Sequence, residues 1–405
     1  MYSKVIISGG GVPALTLAAL LGRAGIEVHI IDPDRPAPVS KTPLSGHTTA
    51  LLQQSLDILE RAGILDKVKN SGGRMHGMRI SDITRQEDVT VNFDALEIDQ
   101  NMFGLNLPSA QLRAALAEYV DELDGVECHW GAACMDFIDE PHKITARLDN
   151  GKEISGKLLI GADGRNSIVR EVARIPTWQH DYNQDALTFL VTHTQDHRNI
   201  STELHRSGGP LTFVPLPDQE DGKFQSSVVW VDKRDRTEQL IRLKKQDFLQ
   251  TLQDASRGVV GEITLETDPV SRPLKILAAK RLTGAQDGKR VALIGEAAHA
   301  LHPMGAQGLN LSLRDIEDLF SVIERRSHLG LDIGDRSALG EYERKRRLDI
   351  GGRLTATHGL VKSLTHDIEP LHMLRRAGLK FIGSVSPLKT LMMRAGMTGK
   401  SLFKS

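Results

Sequence analysis

Residues 4 to 32 leave few folds open. Lys4-Val-Ile-Ile-Ser8 reads as a buried parallel strand, and Gly9-Gly10-Gly11-Val12-Pro13-Ala14 puts small residues at the three special positions of a G-x-G-x-x-G/A turn. An apolar helix from Leu15 to Ala24 follows, Gly25 stops it, and Ile26-Glu-Val-His-Ile-Ile-Asp32 is a second strand ending in an acid. Strand, glycine turn, helix, strand and acid form the βαβ unit that holds a dinucleotide. Gly9 makes the tight turn and Gly11 lets the backbone approach a pyrophosphate. Ala14 lets helix and strand pack closely, and Asp32 reaches a ribose hydroxyl, which suits the adenosine half of FAD or NAD. The plainer alternative, a glycine turn with no ligand, does not account for the whole βαβ context.

Two further strand ends, far away in the chain, ask for the same ligand. In Lys157-Leu-Leu-Ile-Gly161-Ala162-Asp163-Gly164 an apolar strand runs into a small-residue turn carrying an acid. Read alone, Asp163 is an ordinary residue at a helix N-cap. In Arg290-Val-Ala-Leu-Ile-Gly295-Glu296 a hydrophobic strand again ends in glycine and an acid. A loop containing Pro303, Gly305 and Gln307 follows, and a helix starts near Gly308. Unpaired N–H groups at such a helix start can hold a polyol or phosphate, and the acid can accept from sugar hydroxyls.

In this order the three segments resemble those of the FAD-dependent aromatic hydroxylases, the single-component flavoprotein monooxygenases. The stretch Gly295 to Asp315, the run Tyr342-Glu-Arg-Lys-Arg-Arg347 and the basic C-terminal tail are most similar to the ubiquinone-biosynthesis hydroxylases. The resemblance implies an α/β fold, with a Rossmann-like FAD-binding domain interleaved with an antiparallel-sheet substrate domain and a C-terminal helical region. The boundaries it implies are 1–175 and 276–330 for the two FAD-binding parts, with 71–100 partly in the substrate layer. The substrate sheet takes 176–275, and C-terminal helices with a basic tail take 331–405.

The resemblance also implies tight, non-covalent FAD. Its contacts map to Gly9, Gly11, Ala14, Asp32, His47, Ser109, Asp163, Gly164, Glu296, Gly305, Gln307, Gly308, Leu309 and Asn310. Three positions depart from the family's usual residues. Glu296 stands where Asp is usual, His47 where many relatives carry Arg, and Ser109 near a position often held by Asn or Arg. The implied reaction is hydroxylation of a prenylated phenol with O2 through a C4a-hydroperoxyflavin. The resemblance further implies transiently bound NAD(P)H or a carrier protein as electron donor; the chain has one dinucleotide fingerprint and no second one for NAD(P)H.

No Ser-His-Asp set, metal cluster or carboxylate pair stands out, and none is needed where a flavin carries the hard step. His299, His302 and Pro303 lie nearest the implied reaction zone, and the plainer reading of each histidine is a structural hydrogen bond. Phe189, Phe213 and Trp230 are candidates for the substrate wall, although an apolar strand residue is more often plain core. Two other functions fit the same architecture. One is a reductase or dehydrogenase of an isoprenoid or quinone, and the other is a non-catalytic scaffold of a quinone-biosynthesis complex. Halogenases share the fold, but their Trp-x-Trp-x-Ile-Pro run is missing.

Composition narrows the partners. A net charge of −1 argues against nucleic acid. Cys128 and Cys134 have no histidine at metal spacing and read as core thiols in a reducing compartment. No apolar run approaches the ~18 residues of a membrane span, and no targeting peptide precedes the first strand, so a bacterial cytoplasmic protein is expected. From Pro370 to Ser405 there is no acid, while Arg375, Arg376, Lys380, Lys389, Arg394, Lys400 and Lys404 interleave with apolar residues. Such a tail suits a partner protein or the anionic inner face of the cytoplasmic membrane. A solvated helical cap is the plainer alternative. Arg344-Lys-Arg-Arg347 reads as a solvated helix face. Among local elements, a helix is expected over Thr49–Ala62 and single strands over Glu153–Ile160 and Ala186–Thr194.

Overall fold

A computed structural model describes residues 4–85, 87–219, 221–365 and 369–398. Five parallel strands form its first layer, in the order Val291–Leu293, Leu158–Gly161, Lys4–Ser8, Glu27–Asp32 and Val126–Trp130. All four pairings are parallel. The central strands are apolar throughout, as burial on both faces requires, and Val5, Ile6, Ile7, Leu158, Leu159 and Ile160 are fully buried. Register puts the three strand ends singled out above side by side. Ser8 pairs with Gly161, and Gly161 pairs with Leu293.

Helix Val12–Arg23 connects the first two of these strands in sequence and buries nine of its twelve residues. Helices Ser109–Asp121 and Gln307–His328 pack against it. The stretch Glu153–Ile160, expected as one strand, breaks at Lys157. Glu153–Gly156 joins a three-stranded antiparallel sheet, while Leu158–Gly161 joins the parallel one. The expected helix over Thr49–Ala62 begins only at Gln53, because Thr48–Leu52 pairs as a strand with Gly104–Pro108. Its first residues, Thr48 and Thr49, are β-branched and so favour the pleated sheet.

A larger mixed sheet of nine strands forms the second body. Its spine is the strand Thr177–His193, paired with Phe224–Lys233 on one side and Val270–Ala279 on the other. The strands Gly77–Asp82 and Val89–Asp94 also belong to it. One face carries Phe189, Phe213 and Trp230, all packed under helix Lys245–Ser256 through Phe248 and Leu252. All three are buried in this cluster, and Phe213 also lines a small cavity beside Arg79 and His197. The other face meets the strands Thr48–Leu52 and Gly104–Pro108: Thr48 Oγ1 lies 2.6 Å from Ser227 Oγ, and Asn106 donates to Pro215 O at 3.0 Å.

Helices Arg336–Thr365, Glu369–Ser384 and Ser386–Thr398 follow. Glu369–Ser384 packs on the strand Val89–Asp94, and Met393 is buried with Met75, Phe103 and Val214. Lys389 pairs with Glu97 at 2.6 Å, and Arg376 donates to Glu87 O at 2.7 Å. Lys400 and Lys404 lie outside the described residues. Among the described residues, no helix is long and apolar enough to cross a membrane.

Candidate active site

Parallel strands point their C-terminal ends at one edge, and ligands bind in the crevice there. Gly9 needs its glycine. Its φ is +112°, and a Cβ would stand 2.3 Å from Ala162 O. Gly9 N–H donates to Ile31 O and Ala162 N–H to Ser8 O, so the glycine turn and the Asp163 turn are tied together. Gly11 is different: a Cβ there would meet only Pro13 Cδ, at 3.7 Å. It precedes helix Val12–Arg23, which has no side-chain cap. The first-turn N–H groups are therefore free for an anion, and the space beside Gly11 is open.

Asp32 receives Gly10 N–H, Asp34 N–H at 2.9 Å and the Arg113 guanidinium at 3.2 Å. Arg113 also donates to Gly10 O at 2.7 Å, clamping the turn to the acid. Sequence reading missed Arg113, and its one signal was that it is the single basic residue of helix Ser109–Asp121. Ala14 is fully buried. Asp163 accepts Val169 N–H at 3.2 Å from the first turn of helix Ile168–Val172, whose N-cap is Ser167, and its Oδ1 is buried with no partner among the described residues. Burial pushes its carboxyl above the usual range. Gly164, next in the turn, has φ +78°.

Glu296 lies across from this turn, paired with Arg165 at 2.9 Å and about half exposed. It is therefore within reach of an incoming polyol. His47 is open by surface area but closely ringed by protein. Burial first, and Arg272 second, hold it below the usual imidazole range, with Glu296 acting the other way. Ser109 sits beside it, donating its N–H to His47 O at 3.1 Å and sharing a 2.7 Å hydrogen bond with Thr49. An uncapped turn, an open backbone face, a buried orphan carboxylate oxygen and two further acids fit an FAD laid across the three strand ends.

The loop after Glu296 is tightly pinned. Gly305 and Ala306 both have left-handed backbone, at φ +69° and +53°, just before helix Gln307–His328. For Ala306 that conformation is strained. Asn310 holds the loop in place. Its Oδ1 accepts from Leu52 N–H and Ser55 Oγ, and its Nδ2 donates to Ala50 O and Ala306 O. All of its polar capacity goes to the protein. Gln307 Oε1 accepts from Arg353 at 2.7 Å, Leu309 packs against the main core, and a Cβ on Gly308 would meet nothing within 4 Å.

The two histidines part company. His299 is buried against Asp315 at 2.6 Å, and Asp315 also receives Gly295 N–H at 3.0 Å and Arg346 at 2.8 Å. This hub carries the strand end that presents Glu296. Arg346 is only 3% exposed and also pairs with Asp349 at 2.9 Å. The expected solvated face Arg344–Arg347 is thus wrong at Arg346, because one turn of a helix cannot keep all four basic residues in water when its other side is packed.

His302 is buried edge-on to Tyr182, with ring centroids 5.4 Å apart. Its Nδ1 accepts Met304 N–H, which assigns the proton to Nε2, and Nε2 has no partner among the described residues. Burial pulls His302 down to about 4, and burial pushes Tyr182 up to about 12. His302 is therefore a neutral, unused donor beside the loop carrying Pro303. His193 is likewise pulled down to about 4 by burial. Both histidines make the protein acid-sensitive. Above pH 6.5 neither form is charged in either state. As pH falls from 6.5 toward 4, only the unfolded chain takes up the protons, so stability drops by roughly 3 kcal/mol per histidine. Urea midpoints at pH 7 and pH 4.5 should differ accordingly, and replacing both histidines by Gln should shrink the difference, with His47, His129 and His197, also held below the usual range, contributing to the rest.

A family model described as FAD binding domain matches residues 2–351, and the chain belongs to that family. It is an FAD-dependent monooxygenase. The chain is 30% identical over 395 residues to ubiquinone hydroxylase UbiL of Rhodospirillum rubrum, covering 98% of this chain and 89% of that one. It is 26% identical over 378 residues to 3-demethoxyubiquinol 3-hydroxylase of Escherichia coli, covering 93% and 94%. Its fold matches that of PqsL of P. aeruginosa with a TM-score of 0.77 at 22% identity, over 94% of this chain and 100% of that one.

Proposed function

We propose that this monooxygenase hydroxylates the aromatic ring of a prenylated phenol in ubiquinone biosynthesis. The likeness to ubiquinone hydroxylases over nearly the whole chain carries this reading. FAD held across the three strand ends and reduced by NAD(P)H or a carrier protein would activate O2, one atom going to the ring and the other to water. Gly9, Gly11, Ala14 and Asp32 hold the adenosine diphosphate, with Asp163 and Gly164 beside it. Glu296 takes the ribityl chain, flanked by His47 and Ser109, and the Pro303–Gly308 segment would lie beside the flavin ring, with Leu309 and Asn310 following it. His302 donates its Nε2–H to the phenol oxygen and orients the ring, while its buried surroundings exclude water. The boundaries 1–175, 176–275, 276–330 and 331–405 are the working division of the chain.

The decisive assay supplies labelled O2, a reductant and a prenylated phenol to the FAD-loaded protein. One labelled oxygen per product is expected, and no label with intact FAD would sink the hydroxylase reading. His302→Ala should keep its flavin and lose about tenfold or more in kcat/KM, the scale of one buried hydrogen bond to substrate. An unchanged kcat/KM would remove His302 from the site.

The tail from 370 to 405 brings the enzyme to an anionic membrane surface or a quinone-biosynthesis complex in the cytoplasm. Several of its cations already pair within the protein, among them Lys389 and Arg376, while Phe381 and Leu391 stay exposed. Binding to anionic vesicles should fall steeply with salt, because surface attraction is screened beyond about 8 Å at physiological ionic strength. Equal binding by a chain lacking 370–405 would refute the assignment.

A further inference from the structure

We propose that His29, Glu127 and His129 form a binding site for a divalent transition metal of the zinc type, at the edge of the parallel sheet. His29 lies on the strand Glu27–Asp32, and Glu127 and His129 lie on the neighbouring edge strand Val126–Trp130. Parallel register pairs His29 with Glu127 and Ile31 with His129, so the three side chains share one face. They are 98 to 100 residues apart across the two strands, which is why no spacing motif announces them.

The donor atoms converge. His29 Nδ1 lies 2.9 Å from His129 Nε2, and the Glu127 carboxylate spans the pair, with Oε2 3.5 Å from the first nitrogen and Oε1 3.5 Å from the second. Four ligands at zinc's usual bond lengths stand about 3.3 Å apart in a tetrahedron. The three separations here bracket that value. Two imidazoles and one carboxylate select a borderline metal over magnesium or calcium, which take oxygen ligands. Both imidazoles are less than a tenth exposed, while Glu127 is 56% exposed, so the site opens to solvent on the side where a water would be the fourth ligand.

The surroundings carry a second shell. His29 Nε2 lies 3.2 Å from Glu27 Oε1. Ligating histidines usually donate their other N–H to such a carboxylate, which orients the ring. Lys152 now sits 3.3 Å from His129 Nδ1 and 3.4 Å from Glu127. A lysine only donates, so His129 Nδ1 accepts and its Nε2–H points at His29 Nδ1. Metal binding moves that proton to Nδ1 and turns the half-exposed Lys152 out to water. The bound ion would staple the strand that ends in Asp32 to its edge neighbour.

The test uses tag-free, FAD-loaded protein stripped with a chelator and titrated with ZnCl2 by calorimetry. One equivalent should bind, raise the melting temperature, and show two imidazole nitrogens by zinc X-ray absorption. His129→Gln should weaken binding by tenfold or more. Glu27→Gln should weaken it by about tenfold, the low end for loss of a second-shell carboxylate. Lys152→Gln should strengthen it, since a neighbouring cation is gone. Glu127→Gln, at an exposed position, carries the test if the buried variant fails to fold. No saturable uptake, or uptake that both His129→Gln and Glu127→Gln retain, would overturn the proposal.

Discussion

Gly11→Val purifies without FAD and with its fold intact. Gly11 has ordinary extended backbone at φ −77° and ψ 172°, and an added Cβ meets only Pro13. Valine therefore costs the apoprotein little. Its methyl groups fill the space through which, on the proposed assignment, a pyrophosphate approaches the uncapped helix. Flavin content, read from the 450 nm absorbance of the purified protein, should fall to near zero, with the far-ultraviolet circular dichroism unchanged. Gly9→Val is the control with the opposite signature. Its side chain would strike Ala162 O and also demand a left-handed backbone from a β-branched residue. Overpacking and backbone strain together cost roughly 3 kcal/mol or more. Gly9→Val should lose stability along with flavin, whereas Gly11→Val loses flavin alone. A Gly11→Val protein with full flavin would show that this turn is not the pyrophosphate site.

The contrast between these two glycines shows what was legible in the chain. The pattern of strand, glycine turn, helix and acid is local, so residues 4 to 32 could be read directly. The strand ends at Gly161 and Gly295 were legible for the same reason. Their adjacency rests on the parallel register of Ser8, Gly161 and Leu293, which no local pattern shows. Pairing across long separations explains the misreadings. Thr48–Leu52 is a strand because Gly104–Pro108 lies beside it. Lys157 separates two strands because their partners belong to different sheets. Strand Val270–Ala279 contains Pro273 and alternates weakly, yet it pairs with most of Thr177–His193. Phe189 and Trp230 were legible as strand residues, but not the face they take. That face was decided by helix Lys245–Ser256.

Long-range charge pairing was the least legible layer, and Asp315 shows how much rests on it. This carboxylate is fully buried and is bonded to His299, Arg346 and Gly295 N–H. Burial pushes its carboxyl up, but the His299 and Arg346 charges outweigh burial and hold it below the usual range. Its stabilising effect is therefore complete above about pH 4 and is lost only as pH falls through that lowered value. Acid loss between pH 6.5 and 4 comes instead from histidines held below their usual range, His193 and His302 most strongly. Asp315→Ala leaves a buried guanidinium short of a partner and frees the turn that presents Glu296. Breaking a buried pair by removing one side costs about 3–5 kcal/mol, and urea denaturation at pH 7 should show a loss of that size. Flavin affinity should fall with it, because Gly295 N–H loses its acceptor. Asp315→Leu combined with Arg346→Met separates the two effects. An apolar pair of similar volume restores much of the stability but leaves Gly295 N–H unpartnered, so flavin binding should stay weak. A double variant that regains both would mean that the hub only packs the core. An Asp315→Ala protein within about 1 kcal/mol of the parent would mean that neighbouring Asp318 and Asp349 already satisfy Arg346.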